Sequence, residues 1–218
     1  FCYTKHIKNF PTIFKNKIIT IKPLVSENIY KLTKLEKKNH KFTLLIVGGS
    51  QGAYIFDKNL KKSIVNISKK NPIKIIQQTK GKNIPLLSEF YSKNNIENKI
   101  FTFDKNFASS IHQADLCITR SGASTLAELS LLNIPFIAVP LPTSKDNHQL
   151  ENANFYKKNQ CCWVIEQNYF EEKIEGLLNH ILNNKTDYLN KKENLKKLNY
   201  QNTWISVNQK ILRIINEN

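Results

Sequence analysis

Three short stretches of the chain hold residue types suited to gripping a phosphorylated ligand. The first is Gly48-Gly49-Ser50-Gln51-Gly52-Ala53. Its glycines let backbone N–H groups approach an anion closely, Ser50 supplies a hydroxyl, and a helix opening there would add its positive dipole end. The spacing is neither G-x-G-x-x-G nor a P-loop, and a tight strand-to-helix turn with no ligand calls for the same glycines. The second stretch runs from Arg120 through Ser121, Gly122, Ala123, Ser124 and Thr125 to Glu128. Small residues there would leave first-turn N–H groups open to a phosphate, and Glu128, one turn further on, could accept both hydroxyls of a ribose. Thr125-x-x-Glu128 is equally the capping-box pattern, which needs no ligand. The third runs from Pro140 to Gln149, where Pro140 and Pro142 stiffen the chain ahead of Asp146, Asn147, His148 and Gln149. Amide and carboxylate groups on a rigid turn suit sugar hydroxyls, each both donor and acceptor. Asp146-x-x-Gln149 is again a capping-box pattern, and His148 has no visible acid–base partner. Taken together, the stretches describe a nucleotide-sugar pocket: diphosphate on glycine-lined helix starts, ribose on a carboxylate, sugar on a polar turn.

Such turns need strands and helices to hold them. Apolar, β-branched segments predict strands at Thr43 to Val47, Ile73 to Gln77, Lys99 to Phe103, Leu116 to Thr119, Phe136 to Pro140 and Cys162 to Ile165. Segments of helical period lie between and after them: Ala53 to Lys69, Pro85 to Asn94, Phe107 to Gln113, Ser124 to Leu132, Asn147 to Lys158 and Tyr169 to Asn183. Strict alternation implies βαβ units, so the expected class is α/β, a parallel sheet with helices on both faces, whose ligands sit beyond the carboxyl ends of the strands. Residues 1–40 read as the end of a preceding domain plus a linker, with a weak strand at Ile18 to Ile21 and a basic helical stretch. Residues 41–185 read as the ligand-binding domain, and 186–218 as C-terminal helices with an apolar stripe that includes Leu195, Leu198, Trp204, Val207, Ile211 and Ile214.

Composition narrows the classes. The 218 residues carry 33 Lys+Arg against 17 Asp+Glu, a net charge of +16, with 40% hydrophobic residues, enough for a sizeable core. Only Arg120 and Arg213 offer the guanidinium fork that reads phosphates and guanine edges, so nucleic acid is not the expected partner. The lysines read as solvated helix faces, with weak attraction to an anionic membrane surface as the second use. No apolar run approaches the roughly 20 residues of a membrane span, and residues 1–30 lack a secretory signal pattern. Cys2, Cys117, Cys161 and Cys162 lack metal-ligand spacing and read as reduced core thiols of a cytosolic protein. No metal or cofactor is expected. The chain begins with Phe1 and contains no Met, which suggests a start inside a longer protein.

At these residues the chain resembles a known family. The segments from Gly48 to Ala53, from Arg120 to Leu129, and from Asn133-Ile134-Pro135-Phe136 through Asp146-Asn147-His148-Gln149 to Asn152-Ala153 closely resemble, in order and spacing, the C-terminal domain of the MurG transferases of glycosyltransferase family 28. The resemblance spans roughly residues 18–170. It implies the Rossmann-like, donor-binding C-terminal half of a GT-B enzyme that moves N-acetylglucosamine from its UDP donor to a lipid-linked muramyl-pentapeptide acceptor, with inversion and no required metal. It also implies a position on the cytoplasmic face of the inner membrane. Carried over by position, Ser50 and Thr125 would contact the diphosphate, assisted by Gly49, Gly52 and Gly122 and by backbone at Ala123 and Ser124. Glu128 would hold the ribose, Gln149 and the Asp146 turn the amino sugar. Asp104 falls where the family reads uracil through backbone, so that its side chain need not matter. Val25 stands where the family's linker carries an Arg that helps hold the uracil. The family's general base belongs to an N-terminal half that the sequence does not include, so the chain is expected to bind donor without turning over. A non-catalytic UDP-sugar-binding module and the catalytic subunit of a two-chain lipid-linked transferase are the alternatives.

Overall fold

The structure, a computed structural model, describes residues 11–19, 21, 23–33, 35, 41–49, 54–104, 107–198 and 204–216. Six parallel strands form one sheet: β1 (Phe42–Val47), β2 (Ile73–Gln78), β3 (Glu97–Phe101), β4 (Leu116–Thr119), β5 (Phe136–Ala138) and β6 (Cys162–Val164), in the order β3-β2-β1-β4-β5-β6. The helices are α1 (Glu27–Leu32), α2 (Tyr54–Ser68), α3 (Ile84–Lys93), α4 (Phe107–Gln113), α5 (Ala123–Leu131), α6 (His148–Lys158), α7 (Phe170–Asn183), α8 (Lys185–Lys197) and α9 (Trp204–Asn216).

Side chains of a strand point alternately to opposite faces, and β1 is apolar on both. Leu44 and Ile46 join a core with α2, α3 and α7, while Leu45 and Val47 join a second core with α1, α4, α5, α6 and α8. The expected two-faced α/β sheet is what forms. Where both faces are apolar, periodicity alone cannot fix strand register. The ends of the strands contribute: Thr43 N–H donates to the Asp115 carboxylate at 2.8 Å, and Asp115 N–H donates to Thr43 O at 2.9 Å, tying the start of β4 to β1.

Two expectations from sequence are corrected. β3 begins at Glu97 and ends at Phe101, not at Lys99 and Phe103. Its register pairs Glu97 with Lys74, whose ammonium lies 3.2 Å from the Glu97 carboxylate, and Phe103 leaves the sheet to stand 80% exposed. An edge strand tolerates polar residues that a search for apolar runs passes over. The weak strand at Ile18 to Ile21 does not form at the described positions: a 3-10 turn over Thr12–Lys17 leads into irregular chain at Ile18, Ile19 and Ile21, and Thr20 lies outside the described residues. Its continuation is not a mere spacer, because Val25 and Ile29 are 2% exposed and pack with Ile111 and Leu126.

The C-terminal stripe packs on the sheet domain at Leu195, which is fully buried, with Leu198 against it; Val207 of α9 is also buried. Cys117, Cys161 and Cys162 are free, buried thiols, and burial pushes Cys161 up to about 11 and Cys162 to about 12; Cys2 lies outside the described residues. Among the described residues, no helix is long and apolar enough to cross a membrane.

Candidate functional site

The chain builds outward from β1 to β2 and β3, then returns to the other side of β1 and builds outward again through β4, β5 and β6. Between β1 and β4 the direction of winding reverses, which opens a crevice at the carboxyl ends of the strands. The three suspected turns follow β1, β4 and β5, which are neighbours in the sheet, so their described residues lie along that one crevice.

After β1, Gly48 and Gly49 lead toward α2. Gly49 sits at φ +82°, a left-handed conformation that side chains strain against. Ser50, Gln51, Gly52 and Ala53 lie outside the described residues.

After β4 the geometry is more telling. Gly122 is the N-cap of α5, with φ −68° and ψ 134°, and no side chain caps the helix. The capping-box reading therefore falls, since Thr125 is already in the third helical position. Among the described residues, no side chain accepts from the N–H groups of Ala123, Ser124 and Thr125 that open the helix. Nothing in the fold demands glycine at 122: its φ is ordinary, and a Cβ there would meet no atom within 4 Å. A side chain would instead take up space in front of the open N–H groups. One turn along, the half-buried Glu128 has no hydrogen-bond or ion-pair partner among the described residues, and burial pushes its carboxyl up to about 7.

After β5, Asp146 and Asn147 are both left-handed, at φ 52° and 54°, just ahead of α6. Here too the capping-box reading falls, because no side chain caps α6 and Asp146 precedes its N-cap. Gln149 does something the sequence did not suggest. Its Oε1 accepts from Ser121 N–H at 3.2 Å and Leu141 N–H at 3.0 Å, so it fastens the second turn to the third. Only its amide N–H groups are left to meet a sugar. Asn152 adds a second tie, donating to Ser121 O at 2.9 Å. His148 is exposed, and its Nδ1 lies 2.7 Å from Lys145 O.

Arg120, one of two candidates for a phosphate fork, is spent inside the protein. Its Nη1 donates to Val139 O at 3.1 Å and Pro140 O at 3.4 Å, its Nη2 to Gln167 Oε1 at 2.6 Å, and the guanidinium lies over Phe56 of α2 at 5.4 Å. Asp57, at the start of α2, is likewise occupied: it accepts from Gln77 Nε2 at 2.9 Å, Thr79 Oγ1 at 2.5 Å and Asn83 Nδ2 at 2.9 Å, which anchors α2 to the end of β2. Neither tie has a sequence signature, because each partner is fixed only once the strands are ordered. Beyond β3, the Asp104 side chain is also engaged, with Lys99 and Ser110. Val25 is core and presents nothing polar. A small apolar pocket lined by Phe42, Leu44, Ile64, Ile73 and Leu178 lies toward the opposite, amino ends of the strands. Among the described residues, no cluster of His, Cys, Asp and Glu could hold a metal ion.

Comparison with known proteins agrees with this geometry. The family model for the glycosyltransferase family 28 C-terminal domain matches residues 43–203. A UDP-N-acetylglucosamine–N-acetylmuramyl-(pentapeptide) pyrophosphoryl-undecaprenol N-acetylglucosamine transferase of Pelagibacter ubique is 46% identical over 221 residues, covering all of this chain and 62% of the relative. A transferase of the same name from Rickettsia canadensis is 39% identical over 169 residues, covering 75% of this chain and 48% of the relative. The chain thus spans about half to three fifths of the length of these curated relatives. Among solved structures, Acinetobacter baumannii MurG superposes with a TM-score of 0.65 at 24% identity, over 80% of this chain and 49% of that one. UDP-GlcNAc 2-epimerase from Neisseria meningitidis, bound to UDP-GlcNAc, superposes with a TM-score of 0.56 at 12% identity, over 83% of this chain and 45% of that one. These two likenesses show the fold: the sheet is that of one half of a GT-B protein.

Proposed function

The chain belongs to glycosyltransferase family 28, as its C-terminal domain, and we propose that it is the donor-binding half of an inverting transferase that carries N-acetylglucosamine from UDP-N-acetylglucosamine to a lipid-linked muramyl-pentapeptide. The observation that carries the reading is the mouth of α5: a glycine cap that the fold does not require and, among the described residues, N–H groups without a side-chain acceptor and a carboxyl without a partner one turn along. The relatives' names supply the sugar and the acceptor.

In this reading the diphosphate lies across the β1–β4 switch. The N–H groups of Ala123, Ser124 and Thr125 meet it, joined by Gly49 and, by resemblance to the family, by Ser50 and Gly52. Negative charge that builds on the leaving diphosphate as the sugar–oxygen bond breaks is stabilised there by fixed N–H dipoles and the helix end. Glu128 accepts from the ribose hydroxyls, Gln149 donates to the amino sugar, and Asp146 lies on the turn that surrounds it. Acceptor binding and the proton-abstracting base belong to the remaining length of the full protein. Exposed lysines on a chain of net charge +16 suit a peripheral position on an anionic, cytoplasmic membrane face.

Calorimetric titration with UDP-N-acetylglucosamine tests the site. Saturable one-to-one binding is expected, weakened by about 1–3 kcal/mol in Glu128→Ala, the usual worth of hydrogen bonds to a charged group. Gly122→Ala is expected to leave the melting temperature nearly unchanged, because the added methyl meets no protein atom, while lowering donor affinity at least about tenfold through the space it takes from the phosphate. Wild-type chain that gives no heat and no chemical-shift change with the donor refutes the proposal.

A further inference from the structure

Beyond the carboxyl end of β3 three side chains bond one another. Lys99 Nζ donates to Asp104 Oδ2 at 2.7 Å and to Ser110 Oγ at 3.0 Å, and Ser110 Oγ donates to the same Asp104 oxygen at 2.7 Å. Ser110 is fully buried and the Asp104 side chain is only 12% exposed. Two main-chain ties hold the same segment: Phe107 N–H donates to Asp104 O at 3.1 Å, and Gln78 Nε2 donates to Thr102 O at 3.3 Å. A turn that a solvent-facing loop would leave loose is therefore held from the strand before it, the strand beside it and the helix after it.

The position of this turn matters because of the sheet order. With the diphosphate at the β1–β4 switch and the sugar toward β5, the nucleoside points the other way along the crevice, toward β2 and β3. It also lies on the face that carries α1, α4 and α5, because Glu128 belongs to α5 and the Asp104 turn opens α4. Val25, ahead of α1 on that same face, is buried against Phe101 and Ile111 and offers no polar group to a base. Among the described residues of that turn, the main chain of residues 102–104 is what can meet the edge of a pyrimidine. Uracil presents an N–H flanked by carbonyls, whereas cytosine presents a ring acceptor beside an amino donor. A main-chain donor and acceptor tell the two apart only if their spacing is fixed.

Resting on the donor-site reading above, we infer that the Lys99–Asp104–Ser110 clamp sets the base preference of the site. Asp104 acts as a positioning residue that holds the main chain of the 102–104 turn in register with uracil.

Competition measurements with UDP, CDP and inorganic pyrophosphate test the inference on the full 218-residue chain. Wild type is expected to prefer UDP over CDP by about tenfold or more. Asp104→Ala and Lys99→Ala should each weaken UDP about five- to tenfold and bring the UDP-to-CDP ratio close to one, with pyrophosphate affinity unchanged. Because both remove the same contact, the double variant should be no worse than either single one. Lys99→Arg should retain most of the preference. An unaltered UDP-to-CDP ratio in the variants overturns the inference alone, as does a parallel loss of UDP, CDP and pyrophosphate, which marks a merely structural role. Wild type that binds none of the three overturns it together with the donor site.

Discussion

Glu128 shows how much a single carboxyl can report. Its folded-state pKa of about 7 lies above the ordinary 4.5, because burial penalises the charged form. Between those two values the folded chain holds a proton that the unfolded chain has lost, so this residue's contribution to stability falls as pH rises from about 4.5 to 7. Glu128→Gln is therefore expected to raise the stability of the ligand-free chain at pH 8 by about 1–2 kcal/mol, after discounting the shift for residual exposure, and to change little at pH 4. Urea titrations at the two pH values check this. Donor binding should respond in the opposite sense: ribose hydroxyls donate to the ionised form, so the dissociation constant should rise about tenfold for each pH unit below 7, and that slope should vanish in Glu128→Gln. The residue was legible in the sequence, because its distance from the small-residue turn places it one helical turn along. Its lack of a partner among the described residues was not, since that depends on neighbours set by the tertiary fold.

Elements explain why the three turns hold one shape. Arg120 leaves the end of β4, bonds the carbonyls that end β5, reaches Gln167 beyond β6 and covers Phe56 of α2. Lysine cannot span these acceptors, having one point of charge instead of a planar fork. Arg120→Lys should cost about 1–3 kcal/mol of stability, measured by urea denaturation, and should loosen donor binding without removing any group that touches the donor. The helices and most strand boundaries were legible because buried parallel strands are short apolar runs and the helices between them carry a one-sided stripe. The bounds of β3 are not legible, because an edge strand needs only one apolar face and Lys99 to Phe103 is more apolar than the segment that pairs. Gln149 carries an amide suited to sugar hydroxyls, and its bonds to Ser121 and Leu141 also make it a fastener between turns. Such a tie joins residues 28 and 8 positions apart, and no local pattern encodes it.

At the scale of the molecule, the net charge of +16 is almost wholly lysine, which favours diffuse attraction over shaped recognition. Vesicles with a substantial fraction of anionic phospholipid should sediment the chain at low salt and release it at about 0.5 M salt, whereas neutral vesicles should not bind it. Binding to neutral vesicles, or retention at high salt, would point to apolar insertion instead. The sheet order carries a consequence of another kind. Because the strands fan out in two directions from β1, the loop proposed to meet the hexose and the loop proposed to meet the nucleobase come from opposite wings, and each can be rewritten while the other stands. Exchange of residues 141–148 for the matching loop of a transferase that takes a different hexose should retool the cargo and keep the handle.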